Sequence, residues 1–235
     1  IIGNKRGTIS TNDGIIIDAD EFEYDKNKNI LQASGNINIQ DKINNYQISS
    51  ESIIYFKNTE KIIIKGKSNS FTNSNYNLKA EDITFFRKEM LISSDKGATL
   101  VDEKNETFYE INKFSYSFKD QIVKGEKIFV NINYNQPFSD KYFFENSVFD
   151  LKNQNYIAQD INIEFKKDLF SNKNNDPRFK GVSSSSKNGI TTISKGVFTS
   201  CKKNDKCPPW AIYSEEIIHN KKKKQLIYNN AVLKI

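Results

Sequence analysis

Apolar and polar residues alternate along most of this chain, in pairs of short runs separated by polar clusters. Phe22-Glu-Tyr24 runs into Asp25-Lys-Asn-Lys-Asn29 and then into Ile30-Leu-Gln-Ala-Ser-Gly-Asn-Ile-Asn-Ile39. Phe114-Ser-Tyr116-Ser-Phe118 and Ile128-Phe-Val130-Asn-Ile132 show the same period of two. That period predicts half-buried strands joined by turns, because successive side chains of a strand point to opposite faces. No segment carries a helical apolar stripe of useful length, so the predicted fold class is all-β.

The strand pairs repeat. Ala19-Asp-Glu-Phe-Glu-Tyr24, Ser50-Glu-Ser-Ile-Ile-Tyr55, Ala80-Glu-Asp-Ile-Thr-Phe85, Ile111-Asn-Lys-Phe-Ser-Tyr116, Glu145-Asn-Ser-Val-Phe-Asp150 and Ser214-Glu-Glu-Ile-Ile-His219 begin successive units. A glycine or alanine closes most of them (Gly35, Gly66, Gly97, Gly125 and Ala231). The second positions are spaced 31, 30, 31, 34 and 69 residues apart, so the last step holds about two periods and an insertion. Strand pairs stacked in register build a continuous apolar face. Pattern alone leaves two readings of that face: a trough for a ligand, or a sandwich interior that packs on itself.

Alternation fails between Lys166 and Ile190, where Asp168 to Pro177 and Gly181-Val-Ser-Ser-Ser-Ser186 are polar. The expectation is one domain over residues 1–235 with an exposed loop insertion near 168–189.

A hydrophobic fraction of 37% with 17 Phe and 11 Tyr is enough to build the core of such a fold. The net charge of +6 changes little, because 29 acidic residues are mixed with 35 basic ones and only Arg6, Arg87 and Arg178 are arginines. Arginine is the better reader of phosphates and bases, so nucleic acid is not an expected partner. The dense run Lys221 to Lys224 falls where the repeat places a hairpin turn. No run approaches the ~20 apolar residues of a membrane helix. The start, Ile1-Ile-Gly-Asn-Lys-Arg6, lacks the regions of a signal peptide, which is expected to have been removed or to lie upstream. The last residues, Asn230 to Ile235, stop inside a strand pattern, so the natural chain is expected to continue.

Catalytic signals are missing. The single histidine, His219, takes a repeat position held mostly by Tyr or Phe, and no phosphate loop, nucleophile motif or metal-ligand cluster occurs. The expectation is a non-enzyme without cofactor or metal. Cys201 and Cys207 are too few for a zinc site and point to disulfide chemistry in an exported protein, either with each other or with cysteines elsewhere in the natural chain.

Two blocks carry a family resemblance. Asp20-Glu-Phe-Glu-Tyr24-Asp with Ala33-Ser-Gly35-Asn-Ile37 resembles the opening repeat of the OstA-type domains of lipopolysaccharide (LPS) transport. Gly196-Val-Phe-Thr-Ser-Cys201, with Pro209-Trp210-Ala-Ile212 and Ser214-Glu-Glu-Ile-Ile-His219-Asn220, is similar to the end of the periplasmic domain of the outer-membrane LPS-assembly (LptD) family. That resemblance implies an open, twisted β-jellyroll of two antiparallel sheets in the periplasm. It further implies that LPS arrives from a periplasmic bridge protein and that its acyl chains are guided to a C-terminal β-barrel plugged by a lipoprotein. In this family the periplasmic domain is tied to the barrel by disulfides, and Cys201 matches the cysteine at the jellyroll end, with Cys207 close by. The alternatives are the smaller bridge protein itself, or a scaffold for barrel assembly that binds no lipid.

On the trough reading, alternation assigns an inward, lipid-facing set. It comprises Phe22, Tyr24, Ile37, Ile39, Ile53, Tyr55, Ile62, Ile64, Ile83, Phe85, Phe114, Tyr116, Phe118, Ile128, Val130, Ile132, Ile161 and Ile163. A one-residue error would invert the whole assignment. The N-terminal segment around Ile15, Ile16 and Ile17 is expected to be the edge strand that receives the bridge protein.

Overall fold

The computed structural model describes the chain apart from residues 12–13, 44, 73–75, 168–174, 204–208 and 221. Among the described residues there is no helix, and every strand pairing is antiparallel. The strands are β1 (Ile2–Gly3), β2 (Gly7–Ser10), β3 (Ile15–Ala19), β4 (Glu21–Asp25), β5 (Ile30–Asp41), β6 (Tyr46–Phe56), β7 (Lys61–Thr72), β8 (Tyr76–Phe86) and β9 (Leu91–Ser94). They continue as β10 (Ala98–Asp102), β11 (Thr107–Ser117), β12 (Ile122–Ile132), β13 (Asp140–Asp150), β14 (Asn155–Glu164), β15 (Arg178–Lys187), β16 (Ile190–Thr199), β17 (Ala211–Asn220) and β18 (Gln225–Lys234). The architecture is an antiparallel β-jellyroll. Where the sequence reads one domain, contacts group the chain into two compact units: Ile1–Lys104 with Asn112–Lys119, and Asn105–Ile111 with Asp120–Ile235.

In the first unit each of the long strands β5 to β8 serves two layers. One half of β5 pairs with β4 (Glu21↔Ser34 to Asp25↔Ile30) and the other with β3 (Ile15↔Asp41 to Asp18↔Asn38). One half of β8 likewise pairs with β9 and the other with β10. Between the halves the register slips, at Ser34/Ile37 in β5–β6, Ser50/Ser52 in β6–β7 and Ile64/Lys67 in β7–β8. Such bulges bend a strand sharply, which lets one strand cross from layer to layer. The backbone there takes left-handed φ at Gly35 (75°), Asn36 (46°), Gly66 (75°) and Asp82 (50°), conformations that Gly, Asn and Asp tolerate best. Side chains tie the bend together: Asp20 accepts from Arg6 Nη1 and from Asn36 Nδ2, both at 2.7 Å, and Asp82 Oδ1 accepts from Gly66 N at 2.9 Å.

The second unit is a meander from β12 to β18 in which each strand pairs with its sequence neighbours. A bulge row crosses it too, marked by left-handed φ at Lys127, Asp160, Lys195 and Asn230. Two findings correct the sequence reading. Gly181-Val-Ser-Ser-Ser-Ser186 is not a loop but most of strand β15, paired on one side with β14 and on the other with β16. Its side chains lack alternation, yet a slot between two strands supplies partners for its backbone, and Ser184 Oγ meets Tyr156 Oη at 3.2 Å inside. Residues 168–174 of the expected insertion lie outside the described residues. Secondly, Ile15, Ile16 and Ile17 form β3, which is flanked by β2 and β5, with Ile15 and Ile17 fully buried. Within the unit the N-terminal edge is β2, one strand further out.

Candidate functional site

The candidate site is the inward face of the layers. In the first unit it takes alternate residues from both halves of each long strand. Ile37, Ile39, Ile53, Tyr55, Ile62, Ile64, Ile83, Phe85, Phe114 and Tyr116 are all buried there, while Phe22, Tyr24 and Phe118 are half-buried nearer its margins. In the second unit Ile128, Val130, Ile161 and Ile163 are buried and Ile132 is half-buried. Buried residues the sequence reading left out include Tyr46, Ile48, Tyr142, Phe144, Phe149, Phe179, Ile193, Phe198 and Ile217. Sequence alternation could not find several of them: Tyr142-Phe-Phe144 is apolar throughout, Ile193 and Phe198 are five residues apart and share a face only because the backbone turns left-handed at Lys195, and Phe179 lay within the segment read as a loop.

The interior is closed by its own side chains. The Tyr46 ring, from one layer of the first unit, meets Phe85 of the other edge-on at 5.0 Å and Phe118 at 5.9 Å. In the second unit Phe144 lies 5.3 Å from Tyr156, Phe165 5.4 Å from His219, and Phe198 6.2 Å from Tyr228, each pair bridging the two sides of the bulge row. His219 thus sits on β17 as a ring among rings. Burial pushes the Tyr46, Tyr116, Tyr142 and Tyr156 phenols up from their ordinary value, and those of Tyr76 and Tyr228 to about 12. Nearby acids add to the effect of burial, Asp41 at Tyr46 and Asp102 at Tyr76.

Polar groups inside are placed with purpose at two levels. Beside the bulge rows, serine hydroxyls donate to strand carbonyls: Ser68 Oγ to Ala80 O at 3.1 Å, Ser147 Oγ to Ile157 O at 2.9 Å, and Ser214 Oγ to Asn229 O at 2.6 Å. At the opposite margin of the first unit, where the strands turn, Arg87 Nη1 donates to Glu60 Oε2 at 2.6 Å and Nη2 to Asp41 Oδ2 at 3.3 Å. This ion group was not foreseen from sequence. Its only trace there is that Arg87, a rare arginine, follows directly on Phe85-Phe86.

An open pocket of about 270 Å³ lies in the second unit, lined by Lys127, Ile128, Phe129, Phe143, Phe144, Glu145 and Asp160. Phe129 and Phe143 are cross-strand partners whose rings lie 5.0 Å apart, and Phe143 is partly exposed. No group of three or more His, Cys, Asp or Glu among the described residues is placed to hold a metal.

The cysteine block sits after β16. Thr199 Oγ1 donates to Trp210 O at 2.8 Å, Cys201 Sγ lies 3.7 Å from the same oxygen, and Arg178 Nη1 donates to Cys201 O. Asp176 Oδ2 accepts from Lys203 N at 2.9 Å, an interaction that, with Lys167 nearby, holds its carboxyl below the usual range. Cys201 is half-buried and unbridged to any described residue, and Cys207 lies outside the described residues.

No family model matches the chain, and no curated protein matches it. A solved structure it resembles is LptH of Pseudomonas aeruginosa, described as the LptA-homologous periplasmic component of a conserved lipopolysaccharide transport device. The identity is 17% and the TM-score 0.43, over 48% of this chain and 81% of that one. At that level the likeness assigns neither fold nor function.

Proposed function

We propose that this chain is a periplasmic module of lipopolysaccharide transport whose inward apolar face guides acyl chains. The observation that carries the reading is the way the layers are joined. In the first unit the strands tie the two layers together along the bulge row, and at the opposite margin side chains span the gap. At that margin of the first unit an amphipathic lipid can therefore slip its tails between the layers without breaking a backbone pairing among the described residues. Burial is worth roughly 0.8 kcal/mol per CH₂, so a fully buried chain of about a dozen carbons approaches ten kcal/mol. A face of near-uniform apolar character lets the tail advance by exchanging like contacts for like, and the repeats supply such a face.

Within that reading, the block from Gly196 to Asn220 favours the periplasmic domain of the outer-membrane LPS-assembly protein over the free bridge protein. Its partners would then be the bridge protein at the N-terminal edge, its own barrel and the plug lipoprotein. A second reading, a packed scaffold for barrel assembly, draws support from the ring contacts that fill the interior. Photo-crosslinkers separate the two. Placed at Phe22, Ile39 and Phe118 they are expected to capture LPS during transport, and at Glu23 and Asn38 not to; equal capture on both faces, or none on either, rules out the guide.

The edge makes a separate prediction. An exposed strand offers alternate N–H groups to an added strand, so prolines at Thr8 and Ile9 together remove a donor whichever way each points. Binding of the bridge protein, followed by calorimetry, should fall at least roughly tenfold, the equivalent of about one lost hydrogen bond or more. Undiminished binding would move the docking site elsewhere.

A further inference from the structure

The ion group at the margin of the first unit sits where the two layers are held by side chains. Asp41 ends β5 and Tyr46 begins β6, so both lie at the tips of one layer; Glu60 precedes β7 and Arg87 follows β8, at the tips of the other. Arg87 also donates its backbone N–H to Glu60 O at 3.0 Å, which fixes these two residues to each other on the same layer. The Arg87–Asp41 contact, by contrast, reaches across the mouth. The side chain of Asp41 is fully buried and that of Arg87 nearly so.

Stability is a poor explanation for this arrangement. Desolvating the charges costs most of what their attraction returns, and well-packed apolar residues in the same place hold a structure as well or better. Nor does one cation need two carboxylates, one of them fully buried. The second carboxylate has a use if the contact with the first is meant to break. When the layers part, Arg87 stays paired with Glu60, whose side chain is already 20% exposed, and Asp41 moves to water with its turn. Opening then leaves no stranded charge.

We propose that Asp41 and Arg87 form an ionic latch across the mouth of the first unit, that Glu60 holds Arg87 when the latch is released, and that acyl chains enter on its release. The Tyr46, Phe85 and Phe118 rings behind the latch form the apolar lip that parts with it. The part concerning acyl chains rests on the function proposed above; the latch itself does not.

Two variants of the full chain test it. Asp41→Asn removes the charge that crosses the mouth and leaves Arg87 its partner Glu60. The triple variant Asp41→Leu/Glu60→Leu/Arg87→Met replaces the ions by an apolar seal. Amide hydrogen exchange at residues 39–48 and 85–90 reads the mouth without any lipid. Exchange there should speed up at least roughly threefold in Asp41→Asn, and slow or stay level in the sealed variant, with β16 and β17 unchanged as internal control. Equal exchange at the mouth in wild type and Asp41→Asn overturns the latch. LPS capture by a photo-crosslinker at Ile39 reads entry: it should rise in Asp41→Asn and fall in the sealed variant, whose fold is checked by its melting temperature. Capture that is present in wild type and the same in all three proteins overturns the role in entry. No capture in wild type refutes the functional proposal instead, while the exchange data still decide the latch.

Discussion

Phe179→Ala should lower the melting temperature by about 6–20 °C, the largest loss expected from any single truncation in the second unit. The ring is fully buried and meets Phe165 at 5.3 Å and Phe198 at 4.7 Å. Removing a buried phenylalanine typically costs about 3–5 kcal/mol, through lost transfer energy and the cavity left behind. In a domain of this size each kcal/mol moves the midpoint by about 2–4 °C. Ile157→Ala is the control: Ile157 is 67% exposed on β14, and its truncation should stay within about 0.5 kcal/mol. The pair also tests β15 itself. Equal, small losses in both variants would mean that Arg178–Lys187 does not hold its strand place in the layer.

The second large effect is expected in alkali. Tyr46, Tyr116, Tyr142 and Tyr156 are held neutral in the folded state, chiefly by burial. Tyr142 feels in addition the neighbouring Tyr156 and Asp140. An unfolded phenol ionises near pH 10. A group whose folded pKa is raised contributes stability that is complete below its unfolded value and is lost as pH climbs toward the folded one. Several phenols act together here, so the chain should unfold cooperatively on titration above about pH 10, with phenolate absorbance and loss of the β circular-dichroism signal rising in step. Tyr142→Phe should move that midpoint to higher pH, since a phenylalanine there has nothing to ionise. Phenolate absorbance that develops while the β signal persists would mean the rings titrate in place, against the burial described.

Much of this was legible from residue order. Period-two alternation needs only that one face be buried, and it placed Ile37, Ile39, Ile53, Ile62, Ile64 and Ile83 inward without knowledge of any neighbour. The glycines that close the first two repeats, Gly35 and Gly66, stand where the backbone turns left-handed, but the bulge rows themselves were not read from the sequence. β15 escaped notice because four serines carry no alternation; its strand state is imposed by β14 and β16. The edge was misplaced for a related reason: Ile15-Ile-Ile17 reads as a strand by itself, but whether a strand is outermost depends on what pairs with its far side, here the short Gly7–Ser10.

The sequence by itself determined the strand class, the repeat and the face on which apolar residues collect, because these depend on spacing along the chain. Only the tertiary structure decided how the layers close. Asp41, Glu60 and Arg87 are separated by 19 and 27 residues, and nothing in local pattern distinguishes them from the other charges in turns. They meet because bulges at Ser34/Ile37, Ser50/Ser52 and Ile64/Lys67 fold each long strand back over itself and bring distant turns to one margin. A charge in a turn is ordinarily solvated at little cost; a charge at that margin is desolvated and must find its partner.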